Sequence, residues 1–310
     1  MVENLLGRLR SGVVITTLPI LALSIGTSAS AAEGLSKAEL AKQLGASERV
    51  NYSGKLRMLS QRVIATSCNY SAGVDPQESG KHMDAARDEF ALIVDGLENG
   101  NAELGMNGAE RRRKTLARIE ELKTEWKVLA ADLSAIKDDP SAQASLEAAA
   151  IQSGPVLSVA KLLVSDLSAQ YSDPAAMVQA NAMLVDISGR QRMLTQRMSK
   201  NVCLAASGIT TENAKKELAA TAEVFETSLS ALSSGLAAAG INPPPTDEIA
   251  DGLKVVQANW SELKPAVETI LAGGMLSDAE RATVYHGMNQ MTGNMNKVVG
   301  MYSDYSKYAK

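Results

Sequence analysis

The chain has 310 residues, 45% of them apolar but only 4% aromatic, with 31 lysines and arginines against 35 aspartates and glutamates and a net charge of −4. That acidic balance argues against a nucleic-acid partner. Two histidines and two cysteines, with no Cys-x-x-Cys, no His-Glu-x-x-His and no glycine-rich phosphate loop, leave metal, haem and hydrolytic chemistry without their usual ligands, so neither cofactor nor enzymatic activity is expected.

The first residues join Arg8 and Arg10 to an apolar run from Val13 to Ile25 and the small residues Thr27-Ser28-Ala29-Ser30-Ala31. This order reads as a secretory signal peptide over residues 1–31, and the apolar run falls short of the ~20 residues that a membrane-spanning helix needs. Export to the periplasm is expected, an uncleaved N-terminal anchor being the alternative. No later segment reads as continuously apolar for long enough to span a bilayer.

From there Ala, Leu, Met, Glu, Lys and Gln dominate, and turn residues gather at a few places. The pattern predicts an all-α chain. Helices are expected to break near Gly73–Asp75, Gly100–Gly108 and Asp138–Pro140, then at Ser172–Pro174, and again near Gly208–Thr211, Gly240–Pro245 and Gly273–Ser277. Four helices on each side of Ser172–Pro174 predict two tandem up-down four-helix bundles, residues 32–172 and 173–310. Asp173 followed by Pro174 reads as a capped helix start, which makes the linker very short.

The two halves are copies. Ser53-Gly54-Lys55-Leu56-Arg57-Met58-Leu59-Ser60-Gln61-Arg62 returns as Ser188-Gly189-Arg190-Gln191-Arg192-Met193-Leu194-Thr195-Gln196-Arg197, an offset of 135 that also relates Cys68 to Cys203, Phe90 to Phe225 and Gly105 to Gly240. The offset slips to 134 for Trp126 and Trp260, then to 131 for Tyr171 and Tyr302, as small loop deletions would produce. With ~100° per residue, Val50, Arg57, Met58, Gln61, Ala65 and Cys68 share the face of Gly54, while Leu56, Leu59 and Val63 point the other way. In the second copy Val185, Gly189, Arg192, Met193, Gln196 and Cys203 oppose Leu194 and Met198. Each first helix therefore has one apolar stripe for its own bundle and a second face that needs a partner, for which the other copy is the obvious candidate.

At these residues the chain resembles the PilJ-type sensor domain, the extracytoplasmic four-helix domain of type IV pilus chemoreceptors and of nitrate/nitrite sensor kinases of the NarX type. Both copies satisfy its motif, Gly-x-x-Arg-Met-x-Ser/Thr-x-Arg, and the resemblance covers essentially all of the chain after the leader, twice. It implies that Arg57 and Arg192 face each other across a pseudo-dimer axis and hold one small planar anion, nitrate or nitrite foremost. Gly54 and Gly189 would let the backbones approach, with Met58, Met193, Gln61 and Gln196 lining the site. A guanidinium keeps its charge when dehydrated and presents a planar fork matched to an oxyanion. Those sensors are membrane-spanning homodimers with a cytoplasmic module, which is not found before Lys310, so the expectation is a pseudo-dimer that passes its signal to a membrane sensor, transporter or pilus protein. The alternative is a protein–protein interaction module for such a partner, with no small ligand.

If the first helices of the copies run parallel, Cys68 and Cys203 face each other, and an oxidising compartment permits a disulfide; two separate buried thiols are the alternative. Arg62 and Arg197 lie off the facing centre and are expected to pair with acids of a neighbouring helix. Arg111-Arg112-Arg113-Lys114 reads as a solvated run, Met288, Met291, Met295 and Met301 as core, Trp126 and Trp260 as matched packing residues, and His82 and His286 as solvated or hydrogen-bonded.

Overall fold

A computed structural model describes residues 44–171 and 179–308, all within one compact unit, Leu35–Lys310. The expected signal peptide, the Ser172–Pro174 linker and the boundary placed there lie outside the described residues. Among those described, eight α-helices follow one another: α1 (Ala46–Ser71), α2 (Pro76–Asn99), α3 (Arg113–Asp138), α4 (Gln143–Tyr171), α5 (Gln179–Ala206), α6 (Thr211–Ser234), α7 (Asp247–Leu271) and α8 (Asp278–Tyr308). A single 3₁₀ turn, Ala237–Ala239, interrupts the α6–α7 loop. The chain is all-α, two tandem bundles of four helices joined as a pseudo-dimer.

Helix ends carry their chemistry in the sequence. Pro76 occupies the first turn of α2, where its missing N–H costs nothing, and the Asp75 carboxylate accepts from the Glu78 amide. Ser277 and Glu280 form a reciprocal capping box at α8, with Glu280 Oε2 accepting from the Ser277 amide at 2.7 Å. The duplication is also visible in the backbone. Left-handed Gly73, Asp75, Gly100 and Gly105 recur as Gly208, Thr210, Gly235 and Gly240, each pair agreeing in φ to within 8°. Paired two-residue bridges, Asn101 with Met106 and Leu236 with Ile241, close the matching loops. The break expected at Gly240–Pro245 therefore opens five residues earlier, at Gly235, because the second loop repeats the first.

Packing is centred on α1 and α5. Helix α1 packs against α2, α4 and α5, and α5 against α6, α8 and α1, so each is the inner helix of its bundle and the two inner helices meet. Every residue from Leu56 to Gln61 is buried, so the two-sided helix read from the sequence has both sides covered. Leu56, Leu59 and Val63 pack into a core with Met83, Phe90, Ile119 and Leu163. The second copy builds its core likewise, with Met288, Met291 and Met295 fully buried and Met301 packed against them. Phe90 stacks on Trp126, ring centroids 3.7 Å apart, and Phe225 tilts against Trp260 in the matching place.

Helix α4 corrects one sequence expectation. Part of it averages 1.3 in hydropathy, which makes it long and apolar enough to cross a membrane by length and composition. A search for an unbroken apolar run misses it because Glu147, Lys161 and Asp166 are spaced along the helix. In the fold it lies along α1 and α3 and buries Leu146, Val156, Ala160, Leu163 and Leu167.

Candidate functional site

Two levels of contact fix how α1 and α5 meet. Cys68 and Cys203 form a disulfide, with Cα atoms 6.1 Å apart. Eleven residues earlier, ~16 Å along the helix, Arg57 and Arg192 converge. Equivalent residues meet at both levels only if the helices run parallel and in register, related by a local two-fold.

At the upper level the guanidinium groups enter the space that glycine leaves. The point where a Cβ on Gly189 would stand is 3.7 Å from Nη2 of both arginines, so these two nitrogens lie within twice that distance of each other. Beside Gly54 the corresponding distances are 3.5 Å to Arg57 and 4.0 Å to Arg192. Both arginines are almost sealed from solvent, 6% and 3% exposed.

Each arginine is held by the other copy. Arg57 Nη1 donates to Asp186 Oδ1 at 3.2 Å, and Arg192 Nη2 donates to Asn51 Oδ1 at 3.4 Å. Positions 51 and 186 are one repeat position, occupied by an amide in the first copy and a carboxylate in the second. Asp186 also accepts from Arg190 at 2.6 Å. Arg192 Nη1 donates to Asn296 Oδ1 of α8 at 2.6 Å, but its Nε has no partner among the described residues. Arg192 thus faces neutral oxygens and a second cation. Burial first, and Arg57 second, pull its guanidinium down to about 10, which leaves it protonated at neutral pH. Burial also lowers Arg57, against the pull of Asp186. Lys161 on α4, though surface-exposed, is lowered by partial desolvation and then by Arg197, Arg57 and Arg190, the cations on its side of the junction.

Arg49 shows what a purely structural buried arginine looks like in this fold. It is 1% exposed, and all three guanidinium nitrogens donate to backbone carbonyls: Nε to Leu44 at 3.1 Å, Nη1 to Leu97 at 2.8 Å, and Nη2 to Gly108. Its donors are matched by oxygens of the turn before α1, the end of α2 and the α2–α3 loop. Arg192 lacks that closure.

The remaining expected residues divide. Met58 and Met193 are buried in the hydrophobic core. Gln61 and Gln196 turn toward their own bundles: Gln61 Nε2 donates to the Ser153 carbonyl at 3.4 Å, and Gln196 Nε2 to Thr292 Oγ1 at 2.7 Å and Asn289 Oδ1 at 3.3 Å. Their Oε1 atoms have no partner among the described residues, nor do the amide atoms of buried Gln191 beside Arg192. Arg197 pairs with Glu217 of α6 at 3.4 Å, whereas Arg62 departs from expectation: among the described residues no carboxylate lies within ion-pair distance of it. It is half-buried near Tyr285, with Glu89 acting only at longer range. Asn51, Asp186 and Asn296 were not singled out from the sequence. The repeat offset carried a signal for the first two, since 51 and 186 are equivalent positions three residues before the motif glycines.

The family model described as "Type IV pili methyl-accepting chemotaxis transducer N-term", PilJ, matches residues 39–151 and again residues 175–283. No curated protein matches the chain.

Proposed function

This chain belongs to the PilJ family of sensory domains, and from that premise we propose that it is a non-enzymatic ligand-binding protein of the periplasm that holds one small oxyanion between Arg57 and Arg192. PilJ modules are typically periplasmic sensors working with membrane signalling partners. The observation that carries the reading is Arg192: a buried guanidinium whose hydrogen-bond partners among the described residues are amide oxygens, whose Nε has none there, and on whose space a second guanidinium converges. Two like charges in a dehydrated junction repel, and an anion between them adds an attraction to each at shorter range that outweighs the repulsion. A planar oxyanion fits the donor fork of two arginines better than a spherical one. Nitrate and nitrite are the lead ligands, by family resemblance.

Asp186 gives the site an internal competitor. In the structure its carboxylate neutralises Arg57, so an incoming anion displaces one arm of an existing ion pair and needs no newly created cation. Because Arg57 belongs to the first copy and Asp186 to the second, ligand exchange here changes a contact between the bundles. That is the change a partner would read.

Calorimetric titration of the intact chain with nitrate, nitrite and other small oxyanions tests the reading. Saturable binding with one anion per chain, lost in Arg57→Ala and in Arg192→Ala, is the expected result. No binding by the wild type, or binding unchanged in both variants, refutes it and leaves a protein–protein interaction module.

A further inference from the structure

The chain has only two histidines, and the fold brings both to one place. His82 lies on α2 of the first bundle and His286 on α8 of the second, 204 positions apart in sequence and at unmatched places in the repeat. They flank Glu78. His82 Nε2 is 3.6 Å and His286 Nδ1 3.7 Å from Glu78 Oε1, and His286 Nε2 is 3.5 Å from Asp75 Oδ2. One ligand atom from each of Asp75, Glu78 and His286 lies within 4.8 Å of the others.

We propose that Asp75, Glu78 and His286, completed by His82, form a binding site for a divalent ion of the zinc class that bridges the two bundles. Zn²⁺ takes imidazole nitrogen and carboxylate oxygen at ~2.0–2.2 Å in a tetrahedron, which sets the ligand atoms roughly 3.3–3.6 Å apart. One ligand atom each from Asp75, Glu78 and His286 already lies within 4.8 Å of the others, and His82 Nε2 stands 3.6 Å from Glu78 Oε1 at the edge of that group, so these partly exposed side chains close on the ion by rotamer changes. His82 is oriented for the role: its Nδ1 is hydrogen-bonded to the Tyr285 hydroxyl at 2.8 Å. With Nδ1–H donating to Tyr285, the Nε2 lone pair faces Glu78, the arrangement by which an outer partner fixes the tautomer of a metal-ligating histidine.

The mixed nitrogen and oxygen donors select the class. Two imidazoles suit Zn²⁺, Co²⁺ or Ni²⁺, whereas Ca²⁺ and Mg²⁺ prefer all-oxygen sets. The side chains of Asp75, Glu78 and His286 are 40–46% exposed, so ions reach the site from solvent. Asp75 caps α2 with Oδ1, which accepts from the Glu78 amide, and its Oδ2 stands 3.5 Å from His286 Nε2. The ion would join α2 to α8, a link between the copies in addition to the Cys68–Cys203 disulfide.

The test uses the full chain, free of any polyhistidine tag and stripped with chelator, titrated with ZnCl₂ and with CoCl₂. Expected are one ion per chain and weakening by at least about tenfold in His286→Ala and in His82→Ala, given that even outer-sphere changes cost 10–100-fold. The melting temperature should rise with Zn²⁺ in the wild type and not in the double variant. Since a variant could misfold, the visible absorption of Co²⁺ on the wild type reports tetrahedral nitrogen/oxygen ligation independently. A featureless octahedral Co²⁺ spectrum, or Zn²⁺ affinity unchanged in the double variant, overturns the site. Neither readout depends on the anion site.

Discussion

Arg57 of the first copy is ion-paired with Asp186 of the second at 3.2 Å, while Arg192 of the second reaches Asn51 of the first at 3.4 Å. The contacts are the same by symmetry, and one atom type separates them. That single amide-for-carboxylate difference leaves one of two facing guanidinium groups compensated and the other not. Asp186→Asn should therefore free Arg57 and tighten anion binding. Charge-assisted hydrogen bonds are worth about 1.5–3 kcal/mol, and the partial exposure of Asp186 discounts this to about 1–1.4 kcal/mol, about five- to tenfold in Kd. The reciprocal change, Asn51→Asp, places a carboxylate on Arg192 and should weaken binding. Calorimetry on both variants checks the pair, and equal affinities would exclude Asp186 as competitor.

Gly54 and Gly189 separate the cost to the helix from the benefit to the site. A Cβ at either position meets the guanidinium groups at 3.5–4.0 Å, ordinary contact, so alanine fits without displacing backbone. Mid-helix glycine is less favourable than alanine by about 0.5–1 kcal/mol. Gly189→Ala should thus be neutral or slightly stabilising in urea denaturation, yet weaken anion binding because the methyl group fills the space between the arginines. Unaltered affinity would show that the ligand does not sit there.

The Cys68–Cys203 bond spans 135 residues. In the chain-entropy treatment a loop of that length is worth about 5 kcal/mol. The hydrophobic core is continuous through both bundles, so Cys68→Ser/Cys203→Ser should fold, with a lower denaturation midpoint and a stability loss of up to that amount. Intact-mass measurement before and after reduction should show a gain of two hydrogens.

Glu217 should set part of the acid limb of stability. Its Oε2 accepts from Lys200 at 3.3 Å, Asn201 at 3.3 Å and Arg197 at 3.4 Å, and Lys200 is itself buried at the junction, reaching Ser153 of the other bundle. Burial raises the carboxyl, but Lys200 and Arg197 outweigh it, and the net shift is downward. A depressed carboxylate stabilises the fold above its unfolded pKa of about 4.3, and that contribution is lost as pH falls through the folded value. Glu217→Gln should cost about 1–3 kcal/mol at pH 7, discounted for partial exposure, and flatten the fall in melting temperature below pH 5. An unchanged acid limb would mean that other carboxylates carry it.

Much of the fold was legible because duplication lets one half check the other. The loop glycines, the aromatic pairs Phe90–Trp126 and Phe225–Trp260, and the motif on the inner helices are local patterns that recur. The arginine pair was legible for the same reason, since Gly54 and Arg57 are one helical turn apart and share a face by geometry alone. Gln61 and Gln196 share that face on a wheel yet turn to Ser153 and Thr292, because long side chains choose partners that a wheel does not contain. Arg62 departs from its expected ion pair in the same way: Glu89 pairs with Lys55 and acts on Arg62 only at longer range.

By itself the sequence determined the helices, their breaks, the duplication and the family, since periodicity, turn chemistry and a repeated motif are properties of neighbouring residues. It also determined which residues could face a partner. Only the tertiary structure decided that the two faces meet, parallel and in register, with Cys68 on Cys203 and Arg57 beside Arg192. Only it showed that Asp186 compensates one arginine and that His82 and His286 converge. Those contacts join residues 129 to 204 positions apart, and their formation depends on how two finished bundles pack, a choice made by the buried surface of α1 and α5 rather than by any local stretch of chain.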